Sequence, residues 1–214
     1  MDGLLQRLWR TSPAQLSAAA ARRINPPPQT DSRPVWTKIQ NGPLAGRELL
    51  LAPQLGGAWL EMAEGRYDGH LFDQLQPGKW DGAVFWDIGT HFGFHSLSFA
   101  ALAGPTGEVR GFEPNPANRE RLVLNLGRNP DLAKRISIHP VAVADKAGQM
   151  NFVFSEQVEQ GDSSCSFLDG VNPPREREYY STFKSQSVPV ETLDAFASRQ
   201  GIIKIPKRKV AAKS

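Results

Sequence analysis

The sequence predicts an α/β fold built on a parallel sheet, and three segments carry this prediction. Residues 84–86 form a short apolar run that ends in Asp87 and is followed by glycines and a helix-compatible segment. Such a pattern is typical of a buried strand that turns into a helix. Residues 108–112 and 136–143 repeat the strand pattern, with a helical stretch between them. Strands that alternate with helices imply parallel pairing through right-handed crossovers.

The chain before Asp87 predicts an arm followed by the start of the domain. Residues 1–24 can form a helix with leucines and a tryptophan on one side, which favours a helix packed on the domain over an amphipathic membrane anchor. Residues 25–34, NPPPQTDSRP, predict a proline-rich linker, so we expect the arm to occupy residues 1–45. Beyond it, residues 48–52 predict a strand, and GGAWLEMAEGRYDGHLFDQL predicts helical pieces interrupted by glycines.

After Asp87 the elements follow one another at short intervals. A helix over residues 96–102 should stop at Gly104-Pro105. The strand over 108–112 ends in Glu113, and Asn115-Pro116 predicts the N-cap and first residue of a helix that runs to about residue 128.

The last third of the chain predicts a less regular region. The third strand, 136–143, should end near Asp145, and QMNFVFS predicts an antiparallel or hairpin strand. We expect a long mobile loop over 157–186, a helix over 190–200 and a fourth strand over 202–205.

Composition narrows the function classes. The chain contains no run of about 18 apolar residues, so we expect no membrane span. The N-terminus lacks the apolar segment of a secretory signal. The single cysteine, Cys165, fits a reducing cytoplasm. Of 25 Lys and Arg residues, five lie in the last fourteen, so the rest of the chain has 20 basic against 22 acidic residues. The basic charge therefore belongs to the tail, and we expect no nucleic-acid partner.

The turn after the first parallel strand has the residues of a cofactor site. Asp87, Gly89 and Gly93 lie at the carboxyl edge of the predicted sheet, where ligands of α/β proteins bind. N–H groups at the start of the helix can bind a carboxylate, the glycines allow close approach, and the acid can bind an ammonium group directly or through water. A ligand with both groups, such as the methionine end of S-adenosylmethionine, suits this turn.

Two further acids end the next strands of the predicted sheet. Glu113 can accept two hydrogen bonds from ribose hydroxyls, the role of the acid in dinucleotide folds. Asp145, on the same edge, can contact an adenine amino group or hold the loop.

Two alternatives compete with this interpretation of the turn. An NAD site would carry G-x-G-x-x-G, but the sequence G-T-H-F-G lacks the second glycine. The other alternative is structural: Asp87 caps the helix and the glycines serve the turn alone.

These motifs together resemble the FkbM-type methyltransferases, a family with the Rossmann-like class I fold that uses S-adenosylmethionine. The resemblance spans roughly residues 65–205 and rests on WDIGTHFGFHS, GFEPNPANRERLVLNL, HPVAVADKAG with MNFVFS, and VPVETLDAF. It implies methyl transfer to a hydroxyl of a sugar or polyketide-like small molecule. It also implies that Asp87, Gly89 and Gly93 form the cofactor loop, that Glu113 binds the ribose, and that Asp145 lies near the adenine.

The catalytic group is less well defined by the sequence. His91 and His95 flank the turn and are candidate bases for the acceptor hydroxyl, although polar residues at a helix start fit the same pattern. We predict no metal site, because the H-x-x-x-H pair lacks a third ligand. Cys165 has no base beside it and is not predicted to act as a nucleophile. Tyr67-Asp68 resembles a Tyr-Glu pair of the family, and the resemblance gives it no stated role.

The C-terminal end departs from the family pattern. The family's fourth strand is followed by an acid, but here Pro206 occupies that position and a basic segment follows. We therefore expect a partial methyltransferase domain over residues 46–205 and a basic tail over 206–214, with a sheet incomplete at the C-terminus. An uncovered sheet would promote self-association. A non-catalytic remnant that acts as a binding or interaction module is the alternative to an active enzyme.

Overall fold

The computed structural model describes residues 33–75, 78–155, 166–168 and 183–202. Contacts divide the chain into residues 1–31 and 32–214, and every described residue belongs to the second unit. The predicted N-terminal helix, most of the proline-rich linker, Cys165 and the basic tail lie outside the described residues.

The described part alternates strands and helices. The strands are β1 Val35–Lys38, β2 Glu48–Leu51, β3 Val84–Ile88, β4 Glu108–Phe112, β5 Ile136–His139, β6 Ala142–Val143, β7 Gly148–Ser155, β8 Ser166–Leu168 and β9 Phe183–Glu191. The α-helices are α1 Gly57–Glu64, α2 Gly69–Gln74, α3 Phe94–Leu102, α4 Pro116–Arg128, α5 Pro130–Ala133 and α6 Leu193–Arg199. Short 3-10 turns span Gly42–Leu44 and Pro53–Leu55.

The predicted parallel sheet is confirmed. Strands β3, β4 and β5 lie side by side in that order, and both pairings are parallel. Asp87 is level with Gly111, so β3 and β4 end together. This register brings the turn after β3 beside Glu113, the residue that follows β4.

The other strands form two separate sheets. β1 pairs antiparallel with β2, although the sequence did not predict a strand at Val35–Lys38. β6, β9, β7 and β8 form a four-stranded sheet in that order, and β7 is antiparallel to both of its neighbours. The expectation of an antiparallel strand at QMNFVFS is therefore confirmed.

Four predicted boundaries differ from the structure. The third strand is not continuous over 136–143: it is divided into β5 and β6 at Pro140, which has no N–H to donate to a ladder. The predicted loop over 157–186 contains β8 and the start of β9. Residues 190 and 191 belong to β9, so α6 begins only at Leu193. Ile202 is not in a strand, and the rest of the predicted fourth strand lies outside the described residues.

Helix α3 is buried along most of its length because it packs directly on the sheet. Leu97, Phe99 and Ala100 are fully buried, and the Phe99 ring stacks on Phe85 of β3 with 4.8 Å between centroids. Ser98 satisfies its buried hydroxyl by donating to the carbonyl of Phe94. A helix buried on this scale is held by the hydrophobic effect more than by its own propensity.

The opposite face of the parallel sheet is covered by α6. Phe196 is fully buried and contacts Trp86, Phe112 and His139, one residue from each parallel strand. Burial, with the nearby Arg110 and Arg199 charges, lowers the pKa of His139. His139 is thus a packed residue, with its ring against Phe112 and Phe196. None of the helices in the described ranges is long and apolar enough to cross a bilayer.

Asn125 of α4 and Asn129, the residue after the helix, are buried, and together they connect β2 to the turn after β3. Asn125 accepts a hydrogen bond from the Leu50 N–H at 2.7 Å and donates one to the Phe92 carbonyl at 2.9 Å. Asn129 donates to the carbonyls of Glu48 and Asn125. Hydrogen bonds of the buried Asn125 thereby connect the edge strand β2 to the turn after β3.

We expect Asn125→Ala to lower the free energy of unfolding by about 3 kcal/mol, because a buried N–H and a buried C=O each lose their partner. Chemical denaturation would measure the change. Leu124→Ala is the matched control, since Leu124 lies on the same helix and is 51% exposed; it should change stability by less than about 0.5 kcal/mol. Equal effects of the two substitutions would contradict the anchoring role of Asn125.

Candidate cofactor-binding site

The turn between β3 and α3 has an unusual backbone. Alternate residues adopt positive φ: +82° at Gly89, +55° at His91 and +95° at Gly93. A Cβ on Gly93 would lie 2.4 Å from Cδ1 of the buried Leu122, so this position needs glycine for space as well as for conformation. His91 is the non-glycine member of the series, and the left-handed conformation costs it about 1 kcal/mol.

The turn is tied to the end of β4 by backbone hydrogen bonds. The N–H groups of Gly89 and Thr90 donate to the Phe112 carbonyl at 2.9 and 3.1 Å. Thr90 lies so close to Gly111 that a Cβ there would be 2.6 Å from its Oγ1. The end of β4 and the turn therefore form one closely packed unit.

Glu113 is the polar centre of this unit. Its Oε2 accepts the His91 N–H at 2.7 Å, and its Oε1 accepts the Asn115 N–H at 2.9 Å and the Asn118 side-chain amide at 3.2 Å. The residue is 3% exposed, and burial raises the pKa of its carboxyl although all three bonds favour the charged form. A carboxylate has roughly four acceptor positions, so these bonds leave about one for a ligand.

Asp87 is buried beneath the turn and bonds to the start of α3. It is 2% exposed, its Oδ2 accepts the Ser96 hydroxyl at 2.6 Å, and the Ser96 backbone N–H also donates to it. Burial raises the pKa of Asp87, and the nearby His95 lowers it to a lesser degree. Gly93 is the N-cap residue of α3, so Asp87 acts on the start of the helix through Ser96, and its side chain is poorly placed for direct contact with a ligand.

Asp145 is not brought together with the other predicted residues. It follows β6, which pairs with β9 in the four-stranded sheet, and its side chain is exposed. Within the described ranges, no hydrogen bond or ion pair joins it to the turn. The division of the third strand at Pro140 places it beyond the end of β5.

The structure pairs two residues that the sequence analysis left apart. His95 Nε2 lies 2.8 Å from Asp68 Oδ2, across 27 positions of chain. The His95 ring packs near Tyr67, Phe72 and Phe99, with centroids about 6 Å away. Asp68 precedes α2 with φ of +50°. The Tyr67-Asp68 motif was visible in the sequence, but its partner could be found only from the fold.

Arg121 is a second residue that sequence reasoning missed. Its guanidinium lies over the rings of Trp59 and Phe92, 5.2 and 4.9 Å from their centroids. Its three side-chain nitrogens are buried and have no hydrogen-bond partner among the described residues. Burial lowers the pKa of Arg121 to about 10, so it stays charged at neutral pH. Because Phe92 belongs to the turn, this stacking links α1, α4 and the candidate site.

The two histidines of the turn do not belong to a metal cluster in the described part of the chain. His95 pairs with Asp68, and His91 uses its backbone N–H to bind Glu113. No group of three or more His, Cys, Asp or Glu side chains in those residues is close enough to hold a metal ion.

Comparison with models of protein families shows to which family the chain belongs. A model of the Methyltransferase FkbM domain matches residues 87–206, which is more than half of the chain and includes the turn, Glu113 and α6. The chain belongs to the FkbM methyltransferase family. No curated protein matches it.

Solved structures overlap this FkbM domain only in part. A protein called an rRNA-methylase from Clostridium thermocellum is 21% identical, with a TM-score of 0.28, over 29% of this chain and 33% of its own. The cofactor-bound Rv0187 from MTB is 23% identical, with a TM-score of 0.27, over 41% and 50%. Precorrin-6y C5,15-methyltransferase from Geobacter metallireducens GS-15 is 12% identical, with a TM-score of 0.26, over 52% and 79%. The aligned part thus spans a third to a half of the length of the first two.

We expect Gly93→Ala in this FkbM chain to lower the free energy of unfolding by about 2 kcal/mol, because the new Cβ overlaps Leu122 and φ is unfavourable. Thermal and chemical denaturation would show it. Gly127→Ala is the control: nothing lies within 4 Å of its added Cβ. In an exposed helical position it should gain about 0.5 kcal/mol. A Gly93→Ala protein as stable as wild type would refute the packing argument.

We expect Arg121→Met to raise the free energy of unfolding by about 1 kcal/mol. A buried guanidinium without hydrogen bonds loses several kcal/mol of hydration, whereas its two ring contacts return about 2 kcal/mol. Methionine fills similar space and keeps favourable contact with the rings. A denaturant titration that showed a loss of 1 kcal/mol or more would mean that the cation–π contacts outweigh desolvation.

Proposed function

We propose that this chain is an S-adenosylmethionine-dependent methyltransferase domain that methylates a hydroxyl of a sugar or polyketide-like small molecule. The hydrogen bond from the His91 N–H to the Glu113 carboxylate carries the proposal. It joins a glycine turn and a strand-end acid at the carboxyl edge of a parallel sheet, the place where nucleotide-like cofactors bind in such sheets. Membership of the FkbM family supports the reaction class.

The residues present fit the cofactor in three respects. Gly89 and Gly93 leave two positions of the turn without a side chain. Glu113 keeps about one acceptor position for a ribose hydroxyl, and the N–H groups that begin α3 can bind a carboxylate. Asp87 supports the turn from below. We assign Asp145 to the adenine end on the family resemblance alone, since its exposed side chain forms no hydrogen bond or ion pair with the turn among the described residues.

The chain's contribution to catalysis is mainly positional. Bound S-adenosylmethionine would supply a methyl group on a sulfonium, and the acceptor oxygen would attack that carbon in line while the C–S bond breaks and S-adenosylhomocysteine leaves. The turn, held by Glu113 and Phe92, fixes where that displacement occurs. His95 and His91 are the candidate groups to receive the hydroxyl proton of the acceptor. We infer a cytoplasmic protein, in keeping with a single cysteine and an intracellular cofactor.

We expect Glu113→Ala to weaken binding of S-adenosylhomocysteine by about tenfold or more, because a hydrogen bond to a charged group is worth about 1.5–3 kcal/mol. Isothermal titration calorimetry would measure the affinity for S-adenosylhomocysteine and, in a separate titration, the affinity for NAD. Glu120→Ala is the control, since Glu120 is exposed on α4 and should have no effect. Melting curves would verify that the variant folds.

The pH dependence provides a second readout of the same residue. Because burial raises the pKa of Glu113 above 4.5, the wild-type affinity should begin to fall on acidification at a pH where an ordinary glutamate is still charged. Glu113→Ala should lose that part of the pH dependence. Unchanged affinity in Glu113→Ala, or tighter binding of NAD than of S-adenosylhomocysteine, would contradict the proposed function.

A further inference from the structure

The Asp68–His95 pair joins the residue before α2 to the first turn of α3, directly after the candidate cofactor turn. His95 is the second residue of α3 and is close enough to Asp87 to influence the charge of that carboxyl. Asp68 comes from the other side, just before α2, and bonds to His95 at 2.8 Å. Together they place an acid at the entrance to the first turn of α3.

We propose that Asp68 and His95 form the subsite for the amino acid end of the cofactor, with Asp68 accepting the ammonium group. The inference rests on the proposed function and makes it more specific. It assigns the ammonium to an acid that lies 19 positions before Asp87 and outside the residues that the cofactor motif contains.

Accessibility distinguishes the two acids. Asp87 is 2% exposed, and both the hydroxyl and the N–H of Ser96 already donate to it. The Asp68 side chain is 33% exposed. One Asp68 oxygen is used by His95, and the other has no hydrogen-bond donor among the described residues. An ammonium group can therefore reach Asp68 without displacing a structural hydrogen bond.

The surroundings of Asp68 also favour a cation. Burial raises the pKa of Tyr67, and the charges of Asp68 and Glu61 raise it further. The phenol consequently stays neutral, and Glu61 adds a second negative charge near it. The His95 side chain is only 15% exposed, and its ring packs on Phe72, which fixes the orientation of the carboxylate that it binds.

The carboxylate of the amino acid end must be bound close to the ammonium group, because both groups are attached to the same carbon. His95 satisfies this condition because it provides both the side chain that holds Asp68 and a backbone N–H in the first turn of α3. In the described part of the chain, the N–H groups of Phe94 and His95 donate to no protein acceptor. A helix of nine residues directs these groups and its positive end toward a carboxylate.

Two related probes separate this subsite from the rest of the cofactor site. S-adenosylhomocysteine has the amino acid end, whereas 5′-methylthioadenosine has the same nucleoside and thioether without it. Titration calorimetry of the full chain should show that Asp68→Asn weakens S-adenosylhomocysteine by about tenfold or more and leaves 5′-methylthioadenosine within about twofold of wild type. Asp73→Asn, at an exposed acid on α2, is the matched control and should affect neither probe.

A second variant tests the role of His95. His95→Phe keeps an aromatic ring in the same packing but cannot bond to Asp68, so it should also weaken S-adenosylhomocysteine selectively. Melting curves would confirm that both variants fold.

The outcomes separate the two proposals. Equal losses for both probes would show a structural role and overturn the subsite, as would unchanged binding of S-adenosylhomocysteine to Asp68→Asn. If wild-type protein binds neither probe, the proposed function fails and the subsite fails with it.

Discussion

The carboxylate of Glu113 holds together the part of the molecule on which the candidate site depends. It receives an N–H from the turn after β3, another from the start of α4 and a side-chain amide from the first turns of that helix. These elements are separated in sequence, and further hydrogen bonds to the Phe112 and Phe92 carbonyls support the same arrangement. A buried charge is unfavourable unless such bonds satisfy it, so the charge and the loop conformation are mutually dependent. The geometry of the turn follows from this one group.

The same arrangement gives the buried and the exposed acids different tasks. Asp87 and Glu113 are both nearly inaccessible and both serve as acceptors for protein N–H or O–H groups. Asp68 is accessible, and its carboxylate has a single hydrogen-bond partner among the described residues. The two buried acids therefore hold the loop, with about one acceptor position left on Glu113, whereas Asp68 keeps one whole oxygen open.

The sequence was sufficient where local chemistry determines the structure. Apolar runs, the Asn115-Pro116 start of α4 and the glycines of the turn predicted the parallel sheet and the position of Asp87 and Glu113, because each signal acts within a few residues. Prediction from the sequence failed where pairing between distant segments determines the structure. Phe183–Glu191 is a polar stretch that becomes a strand only because β7 offers it a ladder. The contact of Asp68 with His95 also depends on how α2 packs against α3. Pro140 divides a segment whose apolar residues on both sides predicted one continuous strand.

The close approach of Gly93 to Leu122 has a consequence for how this sequence can change. The space that a side chain at position 93 would need is already occupied by a leucine from α4. A smaller residue at 122 would open that space, but the backbone at 93 would still be left-handed. Two separate obstacles therefore have to be removed before a side chain at position 93 is tolerated. The pair restricts evolutionary drift at the site even though neither residue has a polar group to offer a ligand.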